Sequence, residues 1–434
     1  MSSLRCVSPL AGILFAALAL RVATAVWLTH DLDVNKKRPF LIMWDAVEYW
    51  ELGERIAHGK PYEIYDPPRR VMRMPGYPAF VAGSIRLAEA LGMPDRARLI
   101  ARLLLSVVGT ATCGLVALLG RELFDARVGT VAAAISALAP PLVGFSVVLL
   151  SEAIFTATML VSLWCVARLV RATVQGAATA RLVGWGALSG VAIAMAVYVR
   201  PSWLLAAPSL AVTYVLYFRR TRRLSQSLAV ASILVGCTYA VLSPWAFRNF
   251  QVTGHWVFTA LWAGPSLYDG FNPAATGQTD LRFFDKDHLL DRMTEYEVDR
   301  AYTHKASEFI REHPGRALQL TVEKIKRFWS PWPNTSQFAG PAFAFAVAVY
   351  FIPLLMTSVV GWIRGPRWFW GWTLAVGPIL YFAAIHTVFL GSLRYRFPAE
   401  FPLCIAAAVG CVRLCNRPVA AGIDPSSTSS ALSR

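Results

Sequence analysis

Apolar and polar positions fall in long alternating blocks along this chain, far longer than the turn of a helix or the pleat of a strand. The first block, 8–29, is apolar with Arg21 as its only charge, and at 1.5 Å per residue it is long enough to cross a ~30 Å hydrocarbon layer. Comparable runs follow at approximately 98–119, 128–149, 152–170, 182–199, 201–218, 226–247, 340–362, 368–389 and 398–415, which makes ten with the first. Two polar blocks interrupt them. In the first, Val47, Leu52, Ile56 and Ala57 can share one side of a helix with Asp45, Glu48, Glu51 and Glu54 left polar, and Gly59 and Pro61 end it. Tyr77 to Leu91 is short and carries Arg86 and Glu89, so it predicts a helix on the membrane surface rather than a crossing. The second block opens on the turn-rich GPSLYDGFNPAATGQTD and predicts helices over 292–312 and 315–329. The latter sets Leu318, Val322, Ile325 and Trp329 beside Lys324, Lys326 and Arg327, as an interfacial helix does.

The expected organisation is an all-α polytopic membrane protein of about ten transmembrane helices. It divides into 1–29 (tail and first span), 30–97 (first external loop), 98–247 (bundle), 248–339 (external segment), 340–416 (last spans) and 417–434, a small polar and disordered tail. A hydrophobic fraction of 56% agrees. The net charge of +16 could suit nucleic acid, but the arginines cluster between apolar runs instead of along one amphipathic face, so no nucleic-acid partner is expected. Alternating the spans puts Arg121 and Arg127, Arg168, Arg171 and Arg181, Arg219, Arg220, Arg222 and Arg223, Arg364 and Arg367, and Arg413 and Arg417 on one face, which the positive-inside rule makes cytoplasmic. Both termini are then inside and Asp45 outside. Ala23-Thr24-Ala25 imitates a cleavage site, but the length of the first run and the later spans favour an uncleaved helix. Its Arg21 should face protein or water, or reach an interface. The seven cysteines lie in apolar runs or inside loops, so no disulfide framework is expected, and Cys411 with Cys415 lacks the second pair a metal needs.

Short external loops should be poor in arginine, yet Arg200 in YVRP, and Arg394 and Arg396 in LRYRFP, fall outside. A phosphate at the membrane surface is one partner that rewards guanidinium there, and a headgroup anchor or an ion pair with a loop carboxylate is the other. Glu152 opens a span on the external side, where it can bind a sugar hydroxyl or simply complement the helix dipole. His386 is a polar contact or a satisfied interfacial histidine. Arg248 and Asn249 read as anchors at the water boundary, and Tyr77 and Trp262 as sugar-stacking rings or part of the interfacial belt.

Together these residues carry a resemblance. Asp45 followed by Tyr49 and Gly59, PGYP at 75–78, LLSE at 149–152, VRP at 199–201, SPWAFRN at 243–249 with the following YDGFNPAATG, and RYRFP at 394–398 resemble the GT-C membrane glycosyltransferases. The nearest type is the dolichyl-phosphate-mannose-protein-mannosyltransferase-like family, including the lipid A aminoarabinose transferases. The resemblance implies a GT-C fold and transfer of one sugar from a polyprenyl-phosphate donor to a lipid, protein or polysaccharide acceptor outside the membrane. It implies Asp45 as general base. Many relatives have Asp-Glu where this chain has Asp45-Ala46, so a metal-independent enzyme without cofactors is expected.

The chemistry fits: a phosphate leaving group needs cations rather than the second acid of a glycosidase. One base and several arginines suffice. Arg394 and Arg396, with Arg200 and Arg73, would neutralise the departing phosphate, and direct attack would invert the anomeric centre. Tyr49, Tyr77, Glu152, His386 and Tyr395 are candidates for contact with sugar or acceptor. A bacterial inner membrane, with the site facing the periplasm, is the expected location; Asn334-Thr335-Ser336 would be a glycosylation sequon only in an endoplasmic reticulum. The rivals are a ligase using a polyprenyl-diphosphate donor, a transporter, for which no internal repeat is visible, and a non-enzymatic scaffold.

Overall fold

A computed structural model describes residues 9–333 and 340–415. Arg5, Cys6, the sequon at 334–336, Arg417 and the polar tail lie outside the described residues. The described chain is all helical. It runs α1 Pro9–His30, continued by π-helical turns to Asn35, α2 Met43–Ala57, α3 Gly76–Ala90, α4 Ala97–Leu123, α5 Ala126–Leu138, α6 Pro140–Ser146, α7 Glu152–Val174, α8 Thr179–Val199, α9 Ala206–Phe218 and α10 Leu224–Thr253. The second external segment holds α11 Ala263–Gly270, α12 Phe283–Asp287, α13 Leu289–Arg292, α14 Glu295–Glu312 and α15 Pro314–Trp329, and the chain ends in α16 Pro341–Arg364, α17 Phe369–Val388 and α18 Leu393–Cys415. Nine of these are long and apolar enough to cross a membrane, or ten if the bent pair α5–α6 is one span. The protein is a multi-pass membrane protein. α18 is its axis, with 83% of its apolar window buried against 17% for α1 at the periphery, and it packs on α16, α17, α5 and α7.

The span expected at 128–149 is not one straight helix. α5 stops at Leu138, Ala139 is extended, and α6 leaves at 68°. Pro140 and Pro141 cause the break: a residue before proline is pushed out of the helical region, and prolines lack the N–H that would continue the ladder. A helix ending inside hydrocarbon leaves its last carbonyls without water, and Arg21 answers that need. Its Nη1 donates to the Ala137 carbonyl and its Nη2 to that of Ser136, both at 3.2 Å, with further contacts to the Ala17 carbonyl and Cys113 Sγ. Gly109 of α4 leaves the room, since a Cβ there would sit 2.9 Å from Arg21 Nε. The lone charge of the first span therefore faces protein.

Other expectations shift in phase. In α2, Leu52 and Ala57 are buried as expected, but Val47 and Ile56 are exposed and Glu48 is buried. The sequence pattern placed Glu48 on the polar side without seeing the arginine that draws it inward. α14 begins at Glu295 under a capping box between Thr294 and Glu297. In α15, Leu318, Val322 and Ile325 do form an exposed apolar stripe, but Lys324 is buried, donating to the Val388 carbonyl at 3.0 Å with its ammonium 3.3 Å from the Phe271 ring centre. Arg248 and Asn249 lie within α10, which continues to Thr253, and both bond to protein carbonyls. Arg248 donates to the carbonyls of Arg70 and Tyr62, and Asn249 is buried with its amide on Val257 O.

The two polar segments form one body against one end of the bundle. Glu295 at the start of α14 accepts from the backbone N–H groups of Arg70 and Val71, Leu261 N–H donates to Val71 O, and Arg69 reaches the carbonyls of Leu290 and Met293. Burial pushes the Glu295 carboxyl up from its ordinary value, more than these backbone bonds pull it back. The first loop is thus roofed by the second.

Candidate active site

Asp45 stands in the first turn of α2, and positions three and four later on a helix share its face. That puts Glu48 and Tyr49 beside it. Arg73, in the extended connection to α3, is held by a hydrogen bond from Tyr62 to its carbonyl. Its Nη2 lies 2.7 Å from Asp45 Oδ1, its Nε 2.6 Å from Glu48 Oε2, and its guanidinium over the rings of Tyr49 and Trp262. Glu48 also accepts from the Tyr65 hydroxyl at 2.7 Å.

The other half comes from spans that end at the same level. Gly76 of the PGYP turn brings α3 against α8, where a Cβ would lie 2.6 Å from the Tyr198 carbonyl. α8 then ends at Val199, and the extended residue after it, Arg200, sets its Nη1 2.7 Å from Glu152 Oε1. The α5–α6 bend delivers Glu152 to that point as the first residue of α7. Arg394 is not in a loop: α18 starts at Leu393, and this first-turn arginine joins the halves, with Nη1 2.6 Å from Asp45 Oδ2 and Nε on Glu152 Oε1. Tyr395 lies near the guanidiniums of both Arg200 and Arg394 and stacks on His386, with centroids 4.4 Å apart.

Three guanidiniums and three carboxylates thus form a continuous chain, Glu48–Arg73–Asp45–Arg394–Glu152–Arg200. Burial would push the Asp45 carboxyl up, but Arg394 and Arg73 outweigh it and hold it well below the usual carboxylate range. Asp45 still keeps 25% of its side-chain surface open. Glu152 Oε2 and the Tyr77 hydroxyl are buried without a protein partner. Tyr77 is fully enclosed, edge-on to Tyr49, so it is not part of an exposed belt.

Arg396 borders the same cavity as Arg394 but does not join this chain of ion pairs. Residues two apart on a helix do not face together, and its guanidinium, 1% exposed, is spent on Glu400 at 2.5 Å, the carbonyls of Phe328 and Ser330 at 2.8 Å, and the Phe351 ring. Glu48 was missed as a site residue; its i, i+3 spacing from Asp45 was the available signal. Beside Arg394 a cavity of about 240 Å³ opens, with apolar walls from Phe145, Val347 and Phe397 and polar ones from Thr279, Arg327 and Ser392. Among the described residues no three His, Cys, Asp or Glu side chains converge as metal ligands do.

Such a fold, a helical bundle roofed by a helical external body over a polar cluster, has the architecture of the GT-C glycosyltransferases. Over 95% of this chain and 51% of the other, it aligns with the Archaeoglobus fulgidus oligosaccharyltransferase in its apo form at a TM-score of 0.56 and 14% identity. The same enzyme in complex with Zn and sulfate aligns over 93% and 48% at 0.52 and 15%. The chain therefore spans about half the length of that archaeal enzyme. ArnT from Cupriavidus metallidurans bound to undecaprenyl phosphate aligns over 93% and 77% at 16% identity, with a TM-score of 0.38. In sequence, residues 75–247 match the dolichyl-phosphate-mannose-protein mannosyltransferase family, so the resemblance seen in the motifs is borne out. That match takes in PGYP, LLSE and VRP, and stops short of Asp45 on one side and RYRFP on the other. No curated protein matches the chain.

Proposed function

We propose that the protein is a membrane glycosyltransferase that moves a sugar from a polyprenyl-phosphate donor to an acceptor at the external face, with Asp45 as general base. The observation that carries this reading is the position of Arg394, which lines the cavity while bonding Asp45. A lipid phosphate in that cavity has aromatic and aliphatic walls for its first prenyl units and a guanidinium for its charge. The sugar carbon then lies toward Asp45, behind which Glu152 Oε2 and the Tyr77 hydroxyl are buried without a protein partner. In the reaction the acceptor oxygen or nitrogen bonds to the sugar C1, the C1–O bond to phosphate breaks, Asp45 receives the acceptor proton, and the lipid phosphate leaves with the bonding pair. Attack opposite the leaving group inverts C1.

Arg394 carries the phosphate, with Arg200 holding Glu152 behind it; Arg396 and Glu400 also border the cavity but are paired with each other. The basic clusters at the opposite end support a cytoplasmic side there, where Arg168 and Arg171 share Glu122, and an inner membrane with the site facing the periplasm.

The test is transfer by purified protein in nanodiscs with radiolabelled polyprenyl-phosphate sugars and crude envelope as acceptor. Release of polyprenyl monophosphate, reduced roughly 10²–10⁴-fold in Asp45→Asn, is expected. Turnover only with diphosphate donors would make the protein a ligase, and unchanged turnover in Asp45→Asn would remove the base from the scheme.

A further inference from the structure

The arrangement that positions Asp45 also disables it. Both carboxylate oxygens are occupied, Oδ1 by Arg73 at 2.7 Å and Oδ2 by Arg394 at 2.6 Å. A base must hold the incoming proton more tightly than the cations around it allow, and here each oxygen already accepts a charge-assisted bond and two cations stabilise the anion. The arginines differ in what else they can do. Arg73 is tied on its far side to Glu48 and covered by Tyr49 and Trp262. Arg394 borders the cavity, and its second carboxylate, Glu152, has Arg200 as an independent partner. Arg394 can therefore turn to an anion in the cavity while Glu152 remains paired and Asp45 remains anchored through Oδ1.

We propose that the resting site is latched, and that the donor phosphate opens it by taking Arg394 from Asp45, so that Oδ2 becomes the proton-accepting atom only when donor is bound. This rests on the reading of the cavity as a lipid-phosphate site. The exchange makes and breaks no covalent bond: one guanidinium–carboxylate contact is replaced by a guanidinium–phosphate contact, with no proton moved. The consequence is an order, donor before acceptor, which keeps the base inactive toward acceptor while no sugar is present.

The test uses native full-length protein in nanodiscs, with and without undecaprenyl phosphate. Binding is followed by native mass spectrometry, and modification of Asp45 by a hydrophobic carbodiimide is followed by peptide mass spectrometry. Carbodiimides react with the protonated carboxyl, and losing an opposite charge within ~4–6 Å moves a carboxyl by about 1–3 pH units, so labelling of Asp45 should rise at least roughly tenfold when lipid phosphate binds. The exposed Asp291 is the internal reference. Binding without increased Asp45 labelling overturns the latch and leaves the phosphate site standing. No binding overturns the phosphate site and the latch with it. As a second arm, Arg394→Gln should show high Asp45 labelling without lipid; low labelling there, with the protein folded by circular dichroism, also overturns the proposal.

Discussion

Arg394 and Arg396 stand two residues apart in one motif, on one helix and beside one cavity, yet their guanidiniums are bound to different partners. Arg394 bridges two carboxylates from two other elements at the edge of a cavity and is about as exposed as the neighbouring Arg73. Arg396 is sealed in the bundle against Glu400 of its own helix and two carbonyls at the end of α15. The helix phase separates them by roughly 200°. An arginine with partners on several elements and an open side can exchange one of them for a ligand, whereas an arginine whose donors are consumed in the core can only hold the fold.

The largest effect should fall on Arg396→Ala, which strands Glu400 in the core at a cost of about 3–5 kcal/mol. The expected outcome is loss of protein from the membrane fraction, seen by immunoblot and by the thermal shift of what remains. Removing both charges together, Arg396→Met with Glu400→Leu, should return abundance to near the native level and transfer with it. If the double variant is abundant but inactive, Arg396 acts in the site after all. Arg394→Ala should behave in the opposite sense, with normal abundance and turnover lower by roughly 10²–10³-fold.

Glu48→Gln sharpens the contrast from within the site. Glu48 touches Arg73 and Tyr65 but not the cavity, so the charge-assisted bond it loses is worth about 1.5–3 kcal/mol. We expect the turnover number to fall by about tenfold or more with the donor KM nearly unchanged. A raised donor KM with normal turnover would place Glu48 against the donor.

The smallest effect concerns a third buried cation, Lys324. Burial lowers its amine to about 7, with Asp269 opposing the shift, while burial raises Asp269 to about 6. The unfolded chain therefore binds more protons at Lys324 between about pH 7 and the ordinary lysine value of ~10.4, so stability rises with pH across that window. At Asp269 the folded chain binds the extra proton, so stability falls as pH rises from ~3.9 to about 6. Thermal unfolding at pH 7 and pH 9 should show the first slope, and Lys324→Met should flatten it.

Much of the architecture was legible because hydrocarbon enforces it: the spans, the two polar blocks and the helix from Asp45 follow from run length and from Gly59 and Pro61. The errors share one cause. Glu48 and Lys324 look solvent-facing in sequence because they are charged, and each is buried by partners far along the chain; Arg396 pairs with Glu400 one turn on, but its carbonyl partners Phe328 and Ser330 are equally remote. The site itself was half visible. Asp45, Arg200 and Arg394 stood out as charges in unusual places, but which of them touch depends on the bend at Ala139 and on the phase of α18.

Arg21 gives that bend a history that can be read in other chains. Pro140-Pro141 without the arginine would leave two naked carbonyls in hydrocarbon, and the arginine without the prolines would leave a charge with nothing to hold. Neither change is tolerable first unless the other soon follows, so the two positions should be inherited as a unit. Across related chains, a straight third span should coincide with an apolar residue in the middle of the first.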